Sequence, residues 1–474
     1  MKRLPRCFLN GRSYLIDMPD RFPTADERWP RNGEVANMDN RFKPKDGNKT
    51  FCMAPWVHTF ISPQMERRMC CASLEKSTNF KQYIDSSGPD NNELKLIPLQ
   101  EHWNSDHMKS VRKKLMAGKE IPECATCNHK LLNSQVYRQH FNRFYQDRID
   151  EAFEKTNEHG ETSMQVVSFD YRFSNLCSFS CRMCGPPLSS SWETERKKQG
   201  KFEPWMHKDI KSQLQKFHDQ HVVKEFLESV ENKTVREFYW CGGEPLMWKI
   251  HWTAMQRVVD LGYANEVYAR YNSNMSRITY FGKNLFDDVL SKFRDWQINA
   301  SIDGTGEIGE YIRTGLKYDE WLANMRYARK FIKHPRQLQL DLTVTLPGLF
   351  DLENMYELQK DLKIPLLCKK VFTFSSDNYM SPLFLPRRLL NKIVMKVKNK
   401  YANEKRNVMN LAFLDGIDDL MNHPTNDEKY DKETCEQGWR DGKARCESID
   451  KLRGQDIKKI LAIEPEVLDW WTNI

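Results

Sequence analysis

The stretch Asn175-Leu-Cys-Ser-Phe-Ser-Cys-Arg-Met-Cys-Gly185 places three cysteines, Cys177, Cys181 and Cys184, within eight residues at CxxxCxxC spacing. The run Val166-Val-Ser-Phe-Asp-Tyr-Arg172 before it reads as a strand, and Gly185-Pro-Pro with a Ser-rich turn comes after it. A loop this short can fold three thiolates around one small inorganic object. A mononuclear zinc site wants a fourth protein ligand to close its tetrahedron, and the neighbouring sequence offers none. An iron–sulfur cubane tolerates three thiolates, because its fourth iron is left for a substrate or cofactor. The competing reading is a chance triplet of thiols in a reducing compartment.

Outward from this loop, residues 163–382 alternate strand-like and helix-like patterns. Strands are expected at Gln165–Arg172, Glu237–Trp240, Glu266–Asn272, Gln297–Ile302, Leu338–Leu346 and Lys370–Phe374. Amphipathic helices fall between them at Asp209–His218, Ile250–Leu261, Leu285–Phe293, Tyr318–Ile332 and Leu352–Leu362. Six strands joined by helical crossovers imply a parallel sheet, either an open six-strand barrel or a flat doubly wound sheet. In both, ligand-binding groups collect on the loops after the strands. The cysteine loop follows the first strand and Cys241-Gly-Gly-Glu-Pro245 the second. Tyr271-Asn-Ser-Asn274 closes the third, and Ala300-Ser-Ile-Asp-Gly304 with Tyr311-Ile-Arg313 comes after the fourth. Taken alone, Gly-Gly-Glu-Pro is a turn before a helix, the Asn pair a turn, and Arg313 half of an ordinary surface ion pair.

Taken together, CxxxCxxC, the Gly-Gly-Glu-Pro run and the Ser-x-Asp-Gly run in this strand order resemble the radical S-adenosylmethionine (SAM) superfamily. The resemblance, covering roughly residues 51–382, implies an α/β fold with a partial (β/α)6 TIM-like barrel. It implies that Cys177, Cys181 and Cys184 hold a 4Fe–4S cluster whose open iron chelates SAM. Reduction would then split SAM into methionine and a 5′-deoxyadenosyl radical that abstracts hydrogen from a substrate. By the same resemblance Gly242, Gly243 and Glu244 hold the SAM ammonium group. Ser273 or Asn274 bonds its carboxylate or ribose, and Ser301 and Asp303 reach the ribose hydroxyls. Arg313 pairs with the methionyl carboxylate, a task its guanidinium fork suits. Met183 stands where the family usually has an aromatic residue against the adenine; a thioether can also cover a flat ring.

A second cysteine group precedes the barrel. Cys52, Cys70, Cys71, Cys124 and Cys127 fall within residues 51–162, and four would complete a Cys₄ site. Spacing alone divides evenly between zinc and iron–sulfur, since thiolates serve both. A helix is expected at Ser105–Ala117 and a helical link at Gln135–Phe153. Cys52-Met-Ala-Pro-Trp56, Cys70-Cys71, the Trp103-Asn-Ser105 helix with Arg112-x-x-Leu115, and Cys124-x-x-Cys127 resemble the twitch module, a shortened relative of SPASM. That resemblance implies an auxiliary 4Fe–4S cluster on Cys52, Cys70, Cys124 and Cys127. Neighbours in an extended chain point oppositely, so one of Cys70 and Cys71 ligates; Cys70 is preferred.

Residues 1–50 read as an irregular extension and 383–474 as a charged helical segment, with stripes at Arg387–Tyr401, Val408–Leu420 and Ile457–Leu461. Cys241, Cys368, Cys435 and Cys446 read as small buried side chains, and Trp470-Trp471 as packing on the barrel. The 474 residues suffice for two or three cores. No apolar run reaches the ~18–20 residues of a membrane span, and the N-terminus lacks a secretory h-region. Thirteen cysteines, an odd number, favour metal binding over disulfides and a cytoplasmic setting. The net charge of +8 is dispersed over 73 basic and 65 acidic residues, without the basic stripe of a nucleic-acid module. The expectation is a radical SAM enzyme with an unidentified substrate (peptide, protein or small molecule) and a reductant such as flavodoxin or ferredoxin. The alternative is a non-catalytic iron–sulfur or zinc-stabilised binding or scaffold protein.

Overall fold

The computed structural model describes residues 48–74, 96–128, 136–370 and 375–474, together with the backbone of a hairpin made by β1 (Arg6–Leu9) and β2 (Arg12–Leu15). The remainder of residues 1–47 lies outside the described residues. Two compact units divide the chain. The first takes the described residues of Met1–Cys177, Pro186–Asn272 and Thr279–Trp296; the second takes those of Ser178–Gly185, Ser273–Ile278 and Gln297–Ile474.

In the first unit β3 (His58–Ile61) pairs antiparallel with β4 (Arg67–Arg68) and parallel with β5 (Ser168–Tyr171), in the register His58↔Ser168 to Ile61↔Tyr171. β5 then runs parallel to β6 (Glu237–Trp240), and β6 to β7 (Tyr268–Ser273). Next in the chain is a small hairpin of β8 (Thr279–Tyr280) and β9 (Lys283–Asn284). Alternation sets the two faces of these strands. Phe169 and Tyr171 pack on Phe226 of the helix Val223–Glu231, at centroid distances of 5.6 and 5.8 Å. Ser168 and Asp170 therefore face the other way, and the Ser168 hydroxyl donates to Glu237 at 2.8 Å. In the second unit β10 (Asp295–Ser301), β11 (Leu338–Val344) and β12 (Leu366–Lys370) pair parallel in sequence order.

The protein is thus α/β, with consecutive parallel strands and intervening helices in the order a partial TIM-like barrel requires, and a helical C-terminal segment. β6 and the helix Leu352–Leu362 match their expected bounds. The sixth strand begins four residues earlier than expected, directly after Pro365, whose missing N–H suits it to the residue before a ladder; residues 371–374 lie outside the described set. At Leu285–Phe293 a π-turn and a 3₁₀ turn replace the expected regular helix. The stretch after Gly185 is not only a turn: Ser189 caps a helix, Ser190–Lys198, by accepting from the Trp192 amide. Among the described residues no helix is long and apolar enough to cross a membrane.

Candidate active site and thiol cavity

The two flanks of the cysteine loop are anchored in different units, and each is built locally. In the first unit Asn175 ties the loop entrance to the segment 186–193: its amide donates to the Pro186 carbonyl at 3.0 Å and to Glu193 at 2.8 Å. The Cys177 amide donates to the Ser190 hydroxyl at 3.1 Å, and the Ser191 hydroxyl to the Cys177 carbonyl at 2.9 Å. The Gly-Gly-Glu run lies directly against this entrance. The Glu244 amide donates to the Leu176 carbonyl at 2.8 Å. Gly243, at φ +55°, comes so close that a Cβ would stand 2.7 and 2.8 Å from the carbonyl oxygens of Leu176 and Ser174. Gly242, at φ +88°, abuts the Arg172 side chain in the same way. These glycines allow a left-handed backbone and a close approach that no other residue permits. The buried Glu244 carboxylate accepts from the Leu246 amide at 3.0 Å, capping the 3₁₀ turn Pro245–Met247.

In the second unit the segment 178–185 carries Cys181, Met183 and Cys184. It is laid along the C-terminal end of the helix Gly306–Ile312 and the residues after it, with Ser180 N donating to Thr314 O at 2.8 Å and Arg182 N to Ile312 O at 2.9 Å. Arg313 reaches the same place from its own strip. Its Nε stands 2.6 Å from Asp303 Oδ2, and its Nη1 donates to Cys181 Sγ at 3.8 Å. Asp303 is fully buried and also accepts from Thr343 N at 2.9 Å. Burial pushes the Cys181 thiol up to about 12, against the opposing pull of Arg313. A bare thiolate there is therefore disfavoured, and a bound cation would stabilise it. Ser273 and Asn274 are both buried and build a turn, accepting from Met275 N at 3.0 Å and Ser276 N at 2.9 Å. Ser301 is half-buried at the end of β10, and Met183 is half-buried in the loop.

The N-terminal cysteines lie wholly in the first unit. Cys52, Cys70, Cys124 and Cys127 line one cavity, with Met69, Tyr137 and Phe141. The walls are cross-tied: Leu74 N donates to Glu123 O at 2.9 Å, and the Thr126 hydroxyl to Ala72 O at 3.0 Å. Asn142 pins the segment around Cys52 from both sides, accepting from Met53 N at 2.8 Å and donating to Phe51 O at 2.8 Å. Cys71 is absent from this cavity; the groups that act on it electrostatically include Asp170, Arg172 and Arg270. Among the described residues no group of three or more His, Cys, Asp or Glu side chains is drawn together as around a single metal ion. Four thiols lining one cavity are a donor set that zinc or an iron–sulfur cluster takes.

Asn142, Glu193 and Arg182 were not marked by the sequence. Their contacts join residues distant in the chain, and neither periodicity nor motif spacing signals such partners.

Residues 171–359 match the family model described as Radical SAM superfamily. Among solved structures, a crystal structure of Streptococcus suis SuiB bound to precursor peptide SuiA is similar at 12% identity with a TM-score of 0.27, over 40% of this chain and 43% of that one. The chain thus spans less than half the length of that protein. No curated protein matches the chain.

Proposed function

We propose that the protein is a radical SAM enzyme with an auxiliary iron–sulfur cluster. The observation that carries this reading is the interlock of Cys177's flank with Gly242–Glu244, where the Leu176 carbonyl meets both Gly243 and the Glu244 amide. A cysteine loop and a Gly-Gly-Glu turn held this closely are what one cluster-bound ligand would need from both. The match of residues 171–359 supports the same reading.

Cys177, Cys181 and Cys184 would hold the cluster, and Gly242, Gly243 and Glu244 the SAM amino group. When bound, the cluster and SAM supply a 5′-deoxyadenosyl radical able to abstract hydrogen from carbon. The chain's own contribution is to bind, orient and exclude water. Arg313 places a cation against Cys181 Sγ while Asp303 balances and fixes it. In this arrangement Arg313 serves the cysteine loop, in addition to the carboxylate contact the resemblance implies. Ser273, Asn274, Ser301 and Met183 remain the candidates for the rest of SAM. Cys52, Cys70, Cys124 and Cys127 would hold a second 4Fe–4S cluster in a twitch-like module. Four thiolates leave no open iron, so that cluster would carry electrons. The substrate is a peptide, protein or small molecule offering an abstractable hydrogen. A flavodoxin- or ferredoxin-type reductant and a reducing, cytoplasmic setting complete the proposal.

The experiment is anaerobic reconstitution with iron and sulfide, then dithionite and SAM, with 5′-deoxyadenosine measured by mass spectrometry. Wild type should form it and Cys181→Ala should not. A bound, reducible cluster without deoxyadenosine would favour a scaffold protein. Zinc in place of iron would overturn the reading altogether.

A further inference from the structure

The helix Lys432–Arg453 is charged along most of its length, yet one face is buried: Cys435, Gly438, Gly442, Cys446 and Asp450, at helical spacing. Small residues make that face. A Cβ on Gly438 would meet Ser376 at 2.4 Å, and one on Gly442 would meet the Phe384 ring at 2.7 Å. The face ends in a buried carboxylate, and the carboxylate ends at the cysteine loop.

Arg182 directly follows Cys181, and its guanidinium is wholly enclosed within the second unit. Nη2 pairs with Asp450 Oδ1 at 2.5 Å, with side chains 0% and 8% exposed. The same nitrogen donates to Gln455 Oε1 at 2.7 Å, and Nε donates to the Tyr311 carbonyl at 3.0 Å. The guanidinium plane lies over the Tyr311 ring, 3.8 Å from its centroid. The Tyr311 hydroxyl donates in turn to Asp450 Oδ1 at 3.0 Å, while Asp450 Oδ2 accepts from Ile457 N at 2.8 Å. Every part of Asp450 is therefore engaged, and its partners include the one charged side chain of the segment between Cys181 and Cys184.

A buried ion pair is a poor source of net stability, because desolvation offsets the attraction; what it supplies is a fixed geometry. Here the fixed object is the main chain that carries two of the three thiols. Arg182 N and Ser180 N hold that chain to Ile312 and Thr314 on one side, and the guanidinium holds it to Asp450 of the helix Lys432–Arg453 on the other. We propose that Asp450 is a positioning residue for the cysteine loop, acting through Arg182 to hold Cys181 and Cys184 in cluster-binding geometry. This rests on the reading of Cys181 and Cys184 as cluster ligands. The C-terminal segment then serves the cluster site, independently of any part in substrate choice.

The test uses the full chain carrying Cys124→Ala, so that the cluster at Cys181 dominates the signals. Asp450→Asn keeps the shape and an acceptor for Ile457 N, and removes the charge opposite Arg182. After reconstitution it should lose iron to a chelator about tenfold faster than the parent, as supporting partners of metal ligands commonly do. Its dithionite-reduced EPR spectrum should also be shifted. Gly442→Ala strains the same helix against Phe384 without touching Arg182. It should lower the thermal unfolding midpoint while leaving iron retention and spectrum as in the parent. Gln455→Ala removes one bond to Arg182 and should fall between parent and Asp450→Asn; if Asp450→Asn does not fold, this variant decides. Identical retention and spectra in Asp450→Asn and parent would overturn the inference. So would iron loss that merely tracks the unfolding midpoint across all variants, Gly442→Ala included. A parent whose iron content is unchanged by Cys181→Ala would overturn the cluster reading itself, a result separate from either of these.

Discussion

At Gly243 a positive φ and two carbonyl oxygens meet, and both exclude a side chain. Gly243→Ala would force the left-handed region on an L-residue, which costs about 1–2 kcal/mol, and would press a methyl group into Leu176 O and Ser174 O. The expected outcome is a lower unfolding midpoint for the apo chain and at least tenfold less deoxyadenosine. A variant with wild-type turnover would contradict the placement of this turn against the cysteine loop. A second residue-scale prediction concerns the adjacent thiols. Cys70 lines the thiol cavity and Cys71 does not. Cys70→Ala should therefore cost about four irons per chain, whereas Cys71→Ala should cost none. Equal losses would mean that the loop rearranges on loading. The sequence could name the pair and the alternation between neighbours, but only the fold, which leaves Cys70 lining the cavity and Cys71 out of it, says which neighbour turns away.

Elements whose buried face is large and apolar were legible in the sequence. β6 and the helix Leu352–Leu362 were readable because Phe238 and Trp240, or Leu352, Met355, Leu358 and Leu362, mark the inner face at the right period. The helix Lys432–Arg453 was not, since its inner face is built of glycine, cysteine and one aspartate, which no hydrophobic period reveals. The pairing of β3 with β5 was equally hidden. Val57–Ile61 reads as a β-like stretch, but the partner of β3 is set by a register 110 residues away (His58↔Ser168). The helix Lys249–Asp260 gives a prediction at this scale. His251 is buried between Trp240 and Trp252, with Nε2 3.0 Å from the Tyr271 hydroxyl. Burial lowers its pKa from 6.5 to about 3. The unfolded chain therefore takes up a proton first, so stability is full above about pH 6.5 and declines as pH falls toward 3. Urea unfolding of the apo chain should show a smaller loss between those limits for His251→Phe than for wild type. Parallel losses would show that His251 is not the group responsible.

Across the whole molecule, composition and cysteine count pointed to a metal-binding protein, and the three motifs placed the site in the strand order. What they left open was how these residues are assigned to the compact units. Cys177 and Gly242–Glu244 belong to one compact unit, whereas Cys181, Cys184, Asp303 and Arg313 belong to the other. The central claim is that three of these thiols hold one cluster with an iron open to SAM. EPR of the dithionite-reduced Cys124→Ala chain, recorded before and after addition of SAM, tests it most directly. The account predicts a single reduced 4Fe–4S signal whose g values shift when SAM binds the open iron. Spectra that superimpose with and without SAM, or the absence of any cluster signal after reconstitution, would contradict it.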